Sequence, residues 1–166
     1  MQAILGFMGW LEKTGVAISV SQSAYGFSAL DMCHIAAISV VFGMIAVLDL
    51  RLLGVAFRDL AVTDLSRQVL PWTWAAFAIA AITGALMFTG QAVKYSVNIA
   101  FLSKLALMGL AGANMLVFHF FTYRGVAKWD RDAAVPLAGR IAGAISLLCW
   151  IAVVVCGRFT AYYMFP

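Results

Sequence analysis

Four long windows of this chain carry no charged residue: Met32 to Leu48, Gln68 to Val93, Leu105 to Tyr123 and Ile141 to Gly157. An ionised side chain near the centre of a bilayer costs a few kcal/mol or more, so windows this long are what a membrane span requires. A soluble domain has no reason to keep them. Extended by flanks whose Lys and Arg heads reach the headgroups, each window comes to the roughly 20 residues that cross the hydrocarbon core. Helices are therefore expected over about 24–52, 70–91, 98–123 and 137–162. Composition closes the alternative, because the chain of 166 residues is 64% hydrophobic and only 11% charged, whereas a typical soluble domain is about 25% charged. A mean hydropathy of +0.98 agrees. The expected fold is all-α: a single domain, 1–166, forming an integral membrane bundle of four transmembrane helices.

The first 23 residues read differently. Met1 to Leu11 is apolar with Trp10 near its end, Glu12 and Lys13 follow, and Thr14 to Ala24 is rich in Ser and Gln. Without the basic start of a signal peptide, segment 1–23 is expected to be an N-terminal helix lying in the membrane interface, with a fifth span as the alternative. Trp72, Trp74, Trp129 and Tyr162, near span ends, are expected as interfacial anchors. Gly139 and Gly143 form a Gly-x-x-x-Gly pair that suits close helix packing.

Charge sets an expected orientation. Arg51, Arg58 and Arg67 fall in the first loop and Arg124, Lys128, Arg131 and Arg140 in the third, while Lys13, Lys94 and Arg158 lie toward the other side. The positive-inside rule then puts both termini in the periplasm of a bacterial inner membrane. The net charge of +4 comes from eleven Lys and Arg scattered singly between apolar runs, which excludes a nucleic-acid surface and leaves the lipid bilayer as the principal partner. Cys33, Cys149 and Cys156 lie in apolar segments without a Cys-x-x-Cys pair and are expected as free thiols. No nucleotide loop, Ser-His-Asp set or His-Glu-x-x-His pattern is present, so soluble-type hydrolase or transferase chemistry is excluded.

The two histidines, His34 and His119, both fall inside expected spans. Intramembrane ionisable residues are rare, and imidazole is a common axial ligand of haem held between helices. Depth counting separates the pair: at about 1.5 Å per residue from Arg51 and Arg124, His34 lies roughly 25 Å from that end and His119 about 8 Å. One haem bridging both would be strained. Met87 and Met108 come out at about 24 Å, and Asp31 and Lys104 at about 30 Å. His34 with a methionine suits haem; His34, His119, Met87 and Met108 are the candidate metal ligands if copper is handled instead. Lys104 suits a salt bridge to Asp31, a haem propionate or a lipid phosphate. Near the opposite end, Arg51 with Asp49, Arg124 and Arg140 forms a candidate polar cap for an anionic ligand.

These residues carry a resemblance. The stretch from His34 through Gly43 to Asp49-Leu50-Arg51-Leu52-Leu53-Gly54, the Thr83-Gly84 pair, and Phe101-x-x-Lys104-Leu105 followed by Phe118-His119 resemble a group of small bacterial inner-membrane proteins of unknown function over nearly the whole chain. More distantly they resemble HemJ-type protoporphyrinogen oxidases and CopD-type copper-resistance membrane proteins. The HemJ resemblance implies haem b, with His34, Arg51, Lys104 and His119 in roles similar to that family's. Two departures, Asp-Leu-Arg in place of Leu-Pro-Arg and a longer step from Lys104 to His119, keep the enzymatic activity from being carried over. The CopD resemblance implies copper handling.

Three expectations follow. The first is a haem-binding redox protein with His34 as axial ligand, His119 or Met87 as second ligand, and Lys104, Arg51 and Arg124 as charge partners, working with an electron-transfer partner or as a homo-oligomer. The second is copper passage or sensing through His34, Met87 and Met108. The third is an accessory membrane subunit without a cofactor.

Overall fold

The computed structural model describes residues 2–131 and 134–162; the remaining parts of the expected domain, Met1, 132–133 and 163–166, lie outside the described residues. The described residues are mostly helical, with no strand among them. In chain order the helices are α1 (Gln2–Leu11), α2 (Gly15–Gln22), α3 (Ala24–Leu53), α4 (Val62–Gly90), α5 (Ala92–Val97), α6 (Ile99–Val117) and α7 (Leu137–Tyr162). After α6 the chain continues through a π-helical turn (Phe118–Thr122) and a 3-10 segment (Tyr123–Lys128). Four stretches are long and apolar enough to cross a membrane: Tyr25–Leu53, Val62–Gly90, Ile99–Lys128 and Leu137–Tyr162.

The main helix contacts run in the order α4–α3–α7–α6, and α4 also meets α6 where Phe88 stacks on Phe101 with ring centroids 5.6 Å apart. Close approach along this row follows from small residues. A Cβ on Gly143 of α7 would meet the Asp49 carbonyl oxygen and Leu52 Cβ of α3 at 3.1 Å. Asn114 of α6 donates to the Ala142 carbonyl of α7 at 2.9 Å, replacing lipid-exposed polarity by an interhelical bond.

The N-terminal segment is not one helix but two, bent by 69°. Thr14 causes the break by capping α2, its hydroxyl oxygen accepting from the Ala17 amide. Glu12 turns the other way and accepts from the Val93 amide of α5 at 2.9 Å. Helix α2 lies over α4 and α3, with Ala17 fully buried.

Helix α4 begins at Val62, well before the expected start at 70, and Pro71 sits within it. Nothing local marks that start, because Ala61 at the cap position offers no side-chain acceptor. The cap comes from Asp130, far along the chain. Its backbone carbonyl accepts from Val62 N at 3.1 Å, and its carboxylate accepts from Thr63 N at 2.8 Å and Thr63 Oγ1 at 2.6 Å. These bonds satisfy amides that a helix start otherwise leaves orphaned, and they put negative charge at the positive end of the helix dipole.

At this end a small core gathers Leu52, Val62, Trp129 and Val135, flanked by Leu48, Phe118, Tyr123 and Val126. Trp129 is therefore a buried core residue rather than the expected interfacial anchor; the loop folds back over α4 and carries it inward. Trp72, Trp74 and Tyr162 are exposed, as anchors would be.

Replacing Asp130 by alanine is expected to lower stability by about 1–2 kcal/mol, the usual worth of a cap. Partial desolvation works against the Asp130 charge, but the Thr63 hydroxyl and amide and the charge of Arg131 outweigh it and hold the carboxyl below its ordinary range. A depressed carboxyl contributes stability above the unfolded value of about 3.9 and loses it as pH falls through the lower folded value. The difference in thermal midpoint between wild type and Asp130→Ala in detergent should thus hold steady above about pH 5 and close below about pH 4.

Candidate functional site

His34 points from α3 onto α4. Its Nδ1 lies 3.0 Å from Thr83 Oγ1, and that hydroxyl already donates its one proton within α4, to the Ile79 carbonyl at 2.8 Å with the Ala80 carbonyl at 3.2 Å. With the hydroxyl proton directed at Ile79, the assignment that satisfies both groups has the oxygen accepting from Nδ1–H. The Ala80 carbonyl is a further acceptor for the ring. With Nδ1 engaged, the neutral imidazole keeps its lone pair on Nε2, the state in which histidine binds a metal or receives a proton.

Gly84 makes room for this arrangement. A Cβ there would meet His34 Cε1 at 2.8 Å, Nδ1 at 3.4 Å and Nε2 at 3.7 Å, so the ring lies directly against the glycine. Thr83 and Gly84 do separate tasks: one orients the imidazole, the other admits it. Met87 follows one turn later on the same buried stripe of α4, with Ala80 and Thr83.

Charged groups surround this point. Lys104 of α6 and Asp31, one turn before His34, both lie close enough to His34 to act on its charge. Asp31 acts likewise on Tyr95 of α5, whose hydroxyl is pushed above its ordinary range by burial first and by that carboxylate second. The Nζ of Lys104 lies 3.8 Å from where a Cβ on Gly157 of α7 would stand, which places the lysine head against α7 in ordinary contact. Residues from α3, α4, α5, α6 and α7 thus gather in one layer toward the end of the bundle away from Arg51. Met108 is half-buried on α6, one turn from Lys104.

The remaining expected site residues do not join this layer. His119 is exposed in the π-helical turn, stacked on Tyr123 with ring centroids 5.4 Å apart and planes at 15°. Arg124 is exposed, its guanidinium 5.8 Å from the centre of the Phe120 ring. Arg51 is fully buried, Nε donating to the Leu60 carbonyl at 2.7 Å and Nη2 to the Asp130 carbonyl at 3.3 Å. Asp49 is buried between α3 and α7, hydrogen-bonded to Ser146, with Oδ2 lacking a partner. Among the described residues no group of three or more His, Cys, Asp or Glu could hold a metal ion, so any metal here needs another donor type.

Thr83 as a partner of His34 is the functional contact that residue reading overlooks. The signal was a hydroxyl directly before a glycine in an apolar span; which way the pair faced depended on how α4 rotates against α3.

A family model covers residues 2–163, nearly the whole chain. The chain belongs to the DUF6644 family, a family of unknown function. No curated protein and no solved structure matches it. For this DUF6644 chain the arrangement around His34 is therefore the guide to chemistry. Its elements are an oriented imidazole with one nitrogen available, a glycine-lined cradle, and a partly buried lysine and carboxylate beside it.

Proposed function

We propose that this DUF6644 protein is a membrane-embedded b-type haem protein with a redox role, in which Nε2 of His34 is the axial ligand. The observation that carries the proposal is the Thr83–His34 hydrogen bond, because histidine ligands are commonly held through the other ring nitrogen by just such a partner. Haem, when bound, would supply one-electron chemistry. Thr83 fixes the tautomer and orientation of the ring, and Lys104 offers a cation for a propionate. The donor set fits one protein ligand better than two. Met87 belongs to the helix against which His34 already lies, with no gap at Gly84 for a porphyrin between them. His119 faces outward near the other end. Of the expected ligands, His34 is the one that would hold a haem here, with Lys104 as the charge partner of a propionate.

The expected resemblance to HemJ-type and CopD-type proteins is not shown by the comparisons and supplies no activity for this proposal. The excess of arginine and lysine at the α3–α4 and α6–α7 connections supports a bacterial inner-membrane orientation with that end cytoplasmic, which would set the His34 layer toward the periplasm.

The test is an absorption spectrum of the detergent-purified protein. A Soret band is expected in the wild type and in His119→Ala, and is expected to be lost in His34→Ala. Retention of the band in His34→Ala would sink the assignment. A colourless preparation with bound copper by elemental analysis would favour copper handling through His34, Met87 and Met108. A preparation with neither, even after haem supplementation, would point to a cofactor-free accessory subunit.

A further inference from the structure

At the end of the bundle away from His34, a cleft of about 290 Å³ opens between the end of α3 and the start of α7. It is lined by Leu53, Gly54, Arg58, Ala134, Val135 and Arg140. We propose that Arg58 and Arg140 form a binding site for a phosphate group presented at headgroup depth, as on an anionic phospholipid.

Charge comes first. Both arginines are exposed, and neither has an ion pair or a side-chain hydrogen bond among the described residues. Three other arginines at this end do have partners: Arg131 reaches Asp64 at 3.5 Å, Arg124 lies over Phe120, and Arg51 bonds backbone carbonyls. Asp59, next to Arg58 in the chain, does not line the cleft. Two guanidinium groups with no carboxylate partner among the described residues thus border one concavity, and planar guanidinium donors match phosphate oxygens in pairs.

The surroundings fit the same ligand. Gly54 ends α3 in the left-handed conformation, φ 72°, and its amide and that of Val55 cap the Arg51 and Leu50 carbonyls. The negative end of the α3 dipole is therefore largely satisfied within its own turn and does not repel an anion strongly. Leu53 and Val135 add an apolar wall suited to the glycerol and upper acyl region of a lipid. Position agrees too: the cleft lies where two long apolar helices end, the level at which headgroups sit.

The shared chemistry is a phosphate oxyanion, and the experiment separates a lipid source from a free one. The full-length protein is delipidated in detergent and offered phosphatidylglycerol, phosphatidylcholine or inorganic phosphate. Retained ligand is read by native mass spectrometry. The wild type is expected to retain phosphatidylglycerol over phosphatidylcholine, and the double variant Arg58→Gln/Arg140→Gln to lose roughly thirtyfold in phosphatidylglycerol affinity, from about fivefold per basic residue. Arg131→Gln, away from the cleft lining, should bind as the wild type does. Inorganic phosphate binding to the wild type but not to the double variant, without preference for phosphatidylglycerol, would assign the same site to free phosphate. Equal retention of both lipids with no phosphate binding, or undiminished phosphatidylglycerol binding in the folded double variant, would overturn the proposal. If the double variant does not fold, lipid selectivity of the wild type at low and high salt decides the question, and its absence at low salt overturns the proposal.

Discussion

Arg51→Ala is expected to be the most destabilising single substitution considered, costing about 3–5 kcal/mol through an unsatisfied Leu60 carbonyl, the loss of one of the two bonds to the Asp130 carbonyl and an unfilled cavity. The side chain is completely buried, and its two bonded nitrogens reach carbonyls on two different loops, Leu60 before α4 and Asp130 after α6. Asp130 also caps α4. Loss of the guanidinium would therefore loosen the α3–α4 connection, the α6–α7 connection and the start of α4 together. Arg51→Lys should recover little, because one ammonium on a flexible stem does not reproduce a fork that serves two acceptors in different directions. Thermal unfolding in detergent checks this: both variants should melt well below the wild type, with alanine the lower. A lysine variant that melts with the wild type would show that charge alone, and not the fork, holds the loops.

Gly84→Val is expected to act on the His34 site far more than on the bundle. The added Cβ would meet His34 Cε1 at 2.8 Å, closer than real Cβ contacts come, and the other atoms near it are also of the imidazole. The cheapest relief is for the ring to swing away from α4, which breaks the Nδ1 bond to Thr83 and frees the orientation of Nε2. Overpacking of this kind costs about 1–3 kcal/mol at most sites, and less where a side chain yields. On the haem reading, the Soret band should fall to the level of His34→Ala while the protein remains monodisperse and helical. Equal haem content in Gly84→Val and wild type would separate the cradle from ligand binding. Together the two variants divide the molecule: the Arg51 end governs whether the loops hold, and the Gly84 end governs whether the imidazole is aimed.

Much of this was written locally. The absence of charge in four windows demanded four long helices, because no alternative hides that much apolar surface, and α3 and α7 run almost over the expected residues. A helix is also a ruler, so a fixed rise per residue brings His34, Asp31 and Lys104 to one level and keeps His119 at another. In the folded chain Lys104 and Asp31 both act on the charge of His34, although the expected Asp31–Lys104 salt bridge does not form, while His119 stacks on Tyr123 at the opposite end.

Other features have no local signature. The early start of α4 depends on a carboxylate brought from residue 130, and Pro71, which looks like a helix start, is absorbed into the helix interior. Trp129 reads as an anchor and is core because the loop that carries it turns inward. The N-terminal segment bends at Thr14 while Glu12 is held by an amide on α5.

The sequence by itself determined how many helices are needed, where most of them run and at what depth the two histidines lie, because burial and rise per residue are properties of the segment alone. Only the tertiary structure decided that Thr83 and Gly84 face His34, that Arg51 serves carbonyls on two loops, and that Arg58 joins Arg140 across a cleft. Those depend on the rotation of one helix about its axis relative to another and on the path of the loops, which no single segment encodes.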